Sequence, residues 1–310
     1  MKQINQIQKQ AISFYWLLSL LVSFLLPSTC LGEIIKSRAA LTIDASTGEI
    51  LFSKNSNLRL PPASTTKLMT AILAIENEDL SKVVRISKKA SRAPHSKAGF
   101  KEGDQVTIEG LLYAALLGSA NDAAVALAEA IAGSEQRFVY LMNEKALSIG
   151  AEDTKFINAT GLPGPGQYTT ALDLSIILNY ALGLSKLHEI IGTPEARITT
   201  ERGKIFHLRS TDKLLGSDEK IIGGKTGYTR SAGHCFVCAA HDEIKTILVA
   251  ILGSPSRRNL WMETEKLVST NLQGGPPIKF TSLDYSLRRL LYEDSSFYFL
   301  FTSPQEQSHP

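Results

Sequence analysis

Along this chain the spacing of apolar residues changes period several times, and each change marks an element. Leu41, Ile43, Ile50 and Phe52 alternate with less apolar neighbours on either side of Ser46-Thr47-Gly48, the period and turn chemistry of a β-hairpin. Pro61-Pro62 interrupts the chain, and over 65–78 the apolar positions Leu68, Ile72, Leu73 and Ile75 follow a helical period. Thr107 precedes a second apolar helix, 108–117. After Gly118-Ser119-Ala120-Asn121 a third is predicted over 122–132, stopped by Gly133. Ser134 caps a fourth, with Phe138, Leu141, Met142 and Leu147 on its apolar face and Gly150 at its end. The stretch 158–167 is rich in glycine and proline and reads as a loop, followed by a helix over 170–182.

Beyond residue 195 the character changes. Segments 197–200, 205–208, 221–229, 233–240 and 244–252 are short, rich in β-branched or aromatic residues, and read as strands, before a last helix over 257–272. Strands at both ends of the chain with helices between them predict an α+β fold, a sheet assembled from both ends carrying an inserted helical block at about 87–195.

Composition supports a globular protein: 44% of the 310 residues are hydrophobic and 20% charged, too apolar for a disordered tail protein. With 33 lysines and arginines against 30 carboxylates the formal charge is only +3, which leaves no electrostatic footprint for nucleic acid. Part of that charge is a targeting signal. Lys2 and Lys9 precede an apolar run over 11–26, and Pro27, Ser28, Cys30 and Gly32 follow as helix break and small residues, so residues 1–32 read as a secretory signal peptide. The run is shorter than the roughly 20 residues that span a bilayer, which argues against an uncleaved anchor, and Thr29 fits poorly before a lipidated Cys30. The expected protein is exported and lies in the periplasm or another extracytoplasmic space.

Three cysteines are too few for a disulfide scaffold. Cys235 and Cys238 lie three apart on a predicted strand, which points them to opposite faces, so they read as packing residues and not as a redox or metal pair.

The candidate chemistry sits in three short motifs: Ser64-Thr65-Thr66-Lys67, Ser119-Ala120-Asn121 and Lys225-Thr226-Gly227. Each is weak alone. Ser-x-x-Lys recurs at Ser210 and Ser217, and Ser-x-Asn at Ser53 and Ser269, although Lys-Thr-Gly occurs once. An N-cap serine, a polar turn and a strand end are the plain alternatives. Context favours chemistry at the first motif, where Ser64 stands at the start of an apolar helix with Lys67 one turn on, on the same face. A neutral lysine amine in hydrogen-bond reach can take the serine proton. To be neutral it needs burial or a nearby cation, and Lys225 is a candidate for that cation. Amides at the helix start would face a developing oxyanion. Gly223, Gly224 and Gly227 on a strand would let a substrate backbone approach closely, as an added strand.

In that order the motifs resemble the signature of the active-site serine penicillin-binding proteins and β-lactamases. The stretches 63–70, 118–123, 138–146 and 223–229 are similar to the low-molecular-mass D-alanyl-D-alanine carboxypeptidases, peptidase family S11, and the resemblance extends over about 39–272. It implies a three-layer α/β/α sandwich with an antiparallel five-stranded sheet, and a catalytic domain over 33–272. It also implies roles. Ser64 would be the acylated nucleophile and Lys67 its base; Ser119 would relay a proton to the leaving group and Asn121 hold the substrate amide. Lys225 and Thr226 would engage a terminal carboxylate, Gly227 belongs to the same motif, and the amides of Ser64 and Tyr228 would form the oxyanion hole. The implied partners are a peptidoglycan stem peptide ending in D-Ala-D-Ala and β-lactam antibiotics, with neither metal nor organic cofactor.

Ala120 stands where many relatives have Gly or Asp. Many also continue into a C-terminal β-rich domain and an amphipathic anchor, whereas residues 273–310 are a short tail with Leu283, Leu287, Leu290, Leu291, Arg288 and Arg289. That tail reads either as an interfacial helix giving peripheral membrane association, or as a packed or disordered end. One rival function is a β-lactamase, for which the resemblance implies a Glu-x-x-Leu-Asn segment; residues 154–158 here are Thr-Lys-Phe-Ile-Asn. The other is a non-catalytic penicillin-binding sensor or scaffold, which predicts decay of a motif or a membrane-spanning domain. Arg257 and Arg258 follow the last predicted strand and are open to a carboxylate-binding or a solvated reading.

Overall fold

A computed structural model of the chain describes residues 35–94 and 96–272. The expectations for 1–32 and 273–310 lie outside the described residues.

Strands β1 (Ala39–Asp44) and β2 (Ile50–Lys54) form the hairpin read from the sequence, antiparallel with a bulge between Thr42 and Ile43. Asp44 shapes its turn by accepting hydrogen bonds from the Ser46 and Thr47 amides at 2.9 and 3.0 Å. Three long strands from the far end of the sequence, β7 (Ile221–Thr229), β8 (Gly233–His241) and β9 (Thr246–Ser254), complete a five-stranded antiparallel sheet of order β2-β1-β9-β8-β7. Ala39 pairs with Leu252 and Asp44 with Ile247, so the two ends of the chain meet in the middle of the sheet.

β1, β8 and β9 are buried on both faces, so β8 and β9 are near-continuous apolar runs, whereas the alternation read in β1 marks no exposed face, Thr42 being buried as well. Cys235, Val237 and Ala239 join the main core on the helical side. Phe236, one residue out of phase, meets the Trp261 ring edge-on at 5.1 Å under α8 (Arg257–Leu272), on the other face. Cys235 and Cys238 are both buried and both free thiols. Burial pushes the first up to about 11 and the second well above the usual thiol range.

The helical side carries α1 (Lys67–Asn77), α3 (Ile108–Leu116), α4 (Asn121–Ala132), α5 (Glu135–Ser148) and α6 (Ala171–Leu182), with α6 packed directly on β9 and β1. Their limits follow local chemistry: Thr107, Ser134 and Thr170 accept hydrogen bonds from the amides of Gly110, Arg137 and Asp173. Gly133 closes α4 in the left-handed region at φ 73°. The layers are thus α8, sheet and helical block, an α/β/α sandwich.

Several local expectations are corrected. The first helix does not start at Thr65 but as a 3₁₀ turn, Ala63–Thr66, which passes into α1 at Lys67. In α5 the buried face is Phe138, Met142 and Ala146, spaced by four, while Leu141 and Leu147 point outward. The strands near 197 and 205, β5 (Glu195–Thr199) and β6 (Ile205–Arg209), form their own two-stranded sheet. The elements β3 (Val83–Arg85), α2 (Lys88–Ser91), β4 (Gln105–Thr107) and α7 (Ser185–Ile191) had too few residues to show a period.

Candidate active site

The three motifs arrive from three elements: Ser64 and Lys67 from the 3₁₀ turn and the first residue of α1, Ser119 and Asn121 from the turn into α4, and Lys225 to Tyr228 from β7. Ser64 makes no side-chain cap, which removes the N-cap reading. Ser119 is held at φ 55° and Ala63 at φ 50°, left-handed conformations that non-glycine residues rarely adopt and that cluster at functional sites.

Lys67 Nζ is fully buried and lies 3.0 Å from Ser64 Oγ, 2.7 Å from Asn121 Oδ1 and 2.8 Å from the Thr160 carbonyl oxygen. The Asn121 amide is oriented by its Nδ2 donating to the Pro94 carbonyl at 3.0 Å, so Oδ1 faces the lysine. Two of the three partners can only accept. The three oxygens suit the three N–H bonds of an ammonium, and equally a neutral amine that donates to the two obligate acceptors and turns its lone pair to the serine hydroxyl, the state that base catalysis requires. The electrostatics favour the neutral amine: burial, and then the charge of Lys225, hold Lys67 well below the ordinary lysine range, against the opposing pull of buried Asp122.

Lys225 Nζ donates to Ser119 Oγ at 3.1 Å and to the Thr226 carbonyl at 3.0 Å. Burial brings it down to about 7, and the Asp212 carboxylate opposes that shift. Thr226 Oγ1 and Thr211 Oγ1 are 2.6 Å apart. The β7 glycines do not open space for substrate backbone as expected. A Cβ on Gly227 would stand 2.9 Å from the Ser64 nitrogen, 3.0 Å from Ala63 Cβ and 3.1 Å from the Pro62 carbonyl oxygen. On Gly223 and Gly224 it would meet the Ile191 and Val237 carbonyl oxygens at 2.3 and 2.2 Å. These glycines let the protein's own segments approach. β7 is nevertheless the edge of the five-stranded sheet among the described residues.

The same chain matches, over residues 28–256, the family model described as D-alanyl-D-alanine carboxypeptidase. The protein belongs to that family. The curated D-alanyl-D-alanine carboxypeptidase DacF of Bacillus subtilis is 36% identical over 231 residues, 72% of this chain and 59% of that protein. DacC of Escherichia coli is 31% identical over 250 residues, 76% of this chain and 61% of that protein. The chain thus spans about three fifths of the length of these relatives. The solved D-alanyl-D-alanine carboxypeptidase of Mycobacterium tuberculosis H37Rv is similar with a TM-score of 0.74 at 30% identity, covering 80% of this chain and 95% of that one.

In this member of the D-alanyl-D-alanine carboxypeptidase family the motifs border a cleft of about 920 Å³ that also takes in Ser96, Asp212, His234, Arg257 and Trp261. Arg257 therefore faces the cleft, whereas Arg258 is not part of its wall. Tyr228 is 58% exposed at the rim, its ring stacked on His234 at 4.4 Å. Sequence reasoning missed Thr160, Gly161 and Asp212. Gly161 presses so closely on the serine turn that a Cβ there would lie 1.7 Å from the Ala63 carbonyl oxygen. Asp212 is buried, accepts from the Leu214 and Leu215 amides through Oδ1 at 2.9 and 3.3 Å, and keeps a buried Oδ2 with no hydrogen-bond partner among the described residues. Burial raises it to about 6, partly offset by those amides and by Lys225.

Proposed function

We propose that the protein is a serine-type D-Ala-D-Ala carboxypeptidase acting on peptidoglycan stem peptides outside the cytoplasm. The observation that carries this reading is the fully buried Lys67 amine 3.0 Å from Ser64 Oγ, which burial and the nearby Lys225 charge bias toward the neutral form. In the first step Ser64 Oγ attacks the carbonyl carbon of the penultimate D-alanine while its proton passes to Lys67. The amides of Ser64 and Tyr228 receive the oxyanion. Asn121 holds the substrate amide, and Lys225, with Thr226 and Thr211 beside it, binds the terminal carboxylate. The Ser119 hydroxyl, already accepting from Lys225, passes its proton to the departing D-alanine nitrogen and is reprotonated with the proton that Lys67 took from Ser64, so the C–N bond breaks and Lys67 is neutral again. Water then attacks the ester carbonyl as Lys67 takes its proton; the C–Oγ bond breaks and that proton passes from Lys67 to Ser64 Oγ, restoring the serine and the neutral amine.

A β-lactam enters by the same attack and leaves slowly. Among the described residues the groups in hydrogen-bond reach of Lys67 Nζ are a hydroxyl, an amide oxygen and a main-chain carbonyl, so no carboxylate is placed there to activate water against the acyl-enzyme. The β-lactamase reading predicts rapid turnover of a chromogenic cephalosporin instead. Ser64→Ala protein incubated with fluorescent penicillin and with a pentapeptide ending in D-Ala-D-Ala tests the assignment. Both covalent labelling and D-Ala release should vanish; survival of either refutes Ser64 as nucleophile, and labelling without D-Ala release by the unaltered protein refutes the enzyme in favour of the sensor. Among the described residues no helix is long and apolar enough to cross a membrane.

A further inference from the structure

The small formal charge of the chain conceals a strong local asymmetry. Residues 85–104 hold six lysines and arginines against two carboxylates, and 195–209 hold four against two, a net +6 where the whole chain has +3. The fold brings the two segments together beside the cleft. Glu201 N donates to the Gln105 carbonyl at 3.0 Å, Lys204 Nζ to the Gly99 carbonyl at 3.3 Å, and the Phe100 and Phe206 rings lie 4.7 Å apart. Exposed Lys97, Lys101, Arg202 and Lys204 share this surface, and none of them is in an ion pair with a carboxylate among the described residues. Continuity with the catalytic groups is direct. Ser96, next to Lys97, lines the cleft and accepts from the Asn121 amide at 2.7 Å, and Arg209 at the base of the hairpin lines it too.

A single stem peptide seated at Ser64 does not need so wide a cationic rim. We propose that this rim is a second binding surface for the carboxylates of neighbouring stem peptides on the same glycan strand, so that the enzyme engages polymeric peptidoglycan by several stems at once. The inference rests on the function proposed above. Like charges unpaired on a surface repel one another, and a polymer bearing regularly repeated carboxylates relieves that repulsion. Each contact is weak and screened by salt, but contacts borne by one strand add through effective concentration. The rim then acts on capture and leaves the chemical step alone.

The experiment compares D-Ala release from polymeric, uncross-linked peptidoglycan carrying pentapeptide stems with release from a monomeric peptide ending in D-Ala-D-Ala whose other charges are blocked. The full chain is used, alongside K97E/K101E/R202E/K204E and the neutral K97Q/K101Q/R202Q/K204Q. The unaltered enzyme should show a KM per stem that rises about tenfold for polymer between low and high salt and stays nearly constant for the monomer. Charge reversal should raise KM for polymer by about tenfold or more, neutralisation by less, with kcat and KM for the monomer unchanged. Equal effects on both substrates, or no effect on polymer, overturn the proposal. So does loss of binding to anionic phospholipid vesicles with polymer turnover intact, which would assign the rim to a membrane surface. Failure of the unaltered protein to release D-Ala from the monomer would instead refute the proposed function.

Discussion

Gly227→Ala probes the closest approach in the site. The added Cβ would fall 2.9 Å from the Ser64 nitrogen and 3.0 Å from Ala63 Cβ, where ordinary contact is 3.4–4 Å. The turn or the strand must therefore give way by about 0.5–1 Å, because both lie in a packed interior that relaxes only partly. Two quantities follow. Overpacking of this kind costs about 1–3 kcal/mol, and for a domain of this size each kcal/mol lowers Tm by about 2–4 °C. The Ser64 amide is also a proposed oxyanion donor, and losing one such donor, or misplacing a nucleophile by 1 Å, costs about 10²–10³ in rate. The expected variant is folded, melts a few degrees lower, and is acylated by fluorescent penicillin at least about a hundredfold more slowly than the unaltered protein. Thermal melting and stopped-time labelling measure the two effects separately. An acylation rate within about threefold of the original would show that neither the Gly227 contact nor the Ser64 amide position limits the reaction.

Three further outcomes are expected. Asp212→Asn keeps the Oδ1 that accepts from Leu214 and Leu215 but removes the charge that holds Lys225 up, so Lys225 loses its proton at lower pH. The alkaline limb of kcat/KM for the peptide should move down in pH, with KM rising more than kcat falls; an unmoved limb would mean that the Lys225 charge does not limit carboxylate binding. Cys235 and Cys238, buried and with raised pKa values, should resist iodoacetamide in the folded protein and react after denaturation, read by mass spectrometry of their peptides. Gly161→Ala, with a Cβ 1.7 Å from the Ala63 carbonyl oxygen and φ +80°, should cost at least about 3 kcal/mol and depress Tm and penicillin labelling together. Folding with native stability would refute the closeness of the 158–167 loop to the serine turn.

The parts of this fold that were legible in the sequence are those where burial imposes a period. α1 could be read from a helical period, α3, α4 and α6 from apolar runs of two or more turns with Thr or Gly at their bounds, and the edges of β7 from its β-branched and aromatic residues. Elements shorter than that, such as β3 and α2, carried no period at all. Ile244 misled for another reason: it is apolar and β-branched, yet it is 89% exposed in the turn before β9, which starts at Thr246. Within the site the motif residues could be named because their chemistry lies in side chains. Thr160 contributes a main-chain carbonyl, which every residue type possesses, and Gly161 contributes the absence of an atom. Asp212 belongs to an Asx-type turn in which an acid is unremarkable until the sheet sets it near Lys225. The left-handed Ala63 and Ser119 had no signal either, since neither is a residue that prefers that conformation.

The position of β1 has a consequence for timing. Its two neighbours in the sheet are β2, available at once, and β9, which lies some two hundred residues later, a loop whose closure is slow. An isolated two-stranded ribbon is at best marginally stable in water. A chain growing or emerging from its N-terminus therefore presents the Ser64 turn early but has neither β7 to press against it nor the finished core and Lys225 that together lower the Lys67 pKa. Until those strands are in place Ser64 has neither the Gly227 contact nor Lys225 beside it, and on the proposed mechanism a shortened chain lacking β7 to β9 should not be acylated by penicillin.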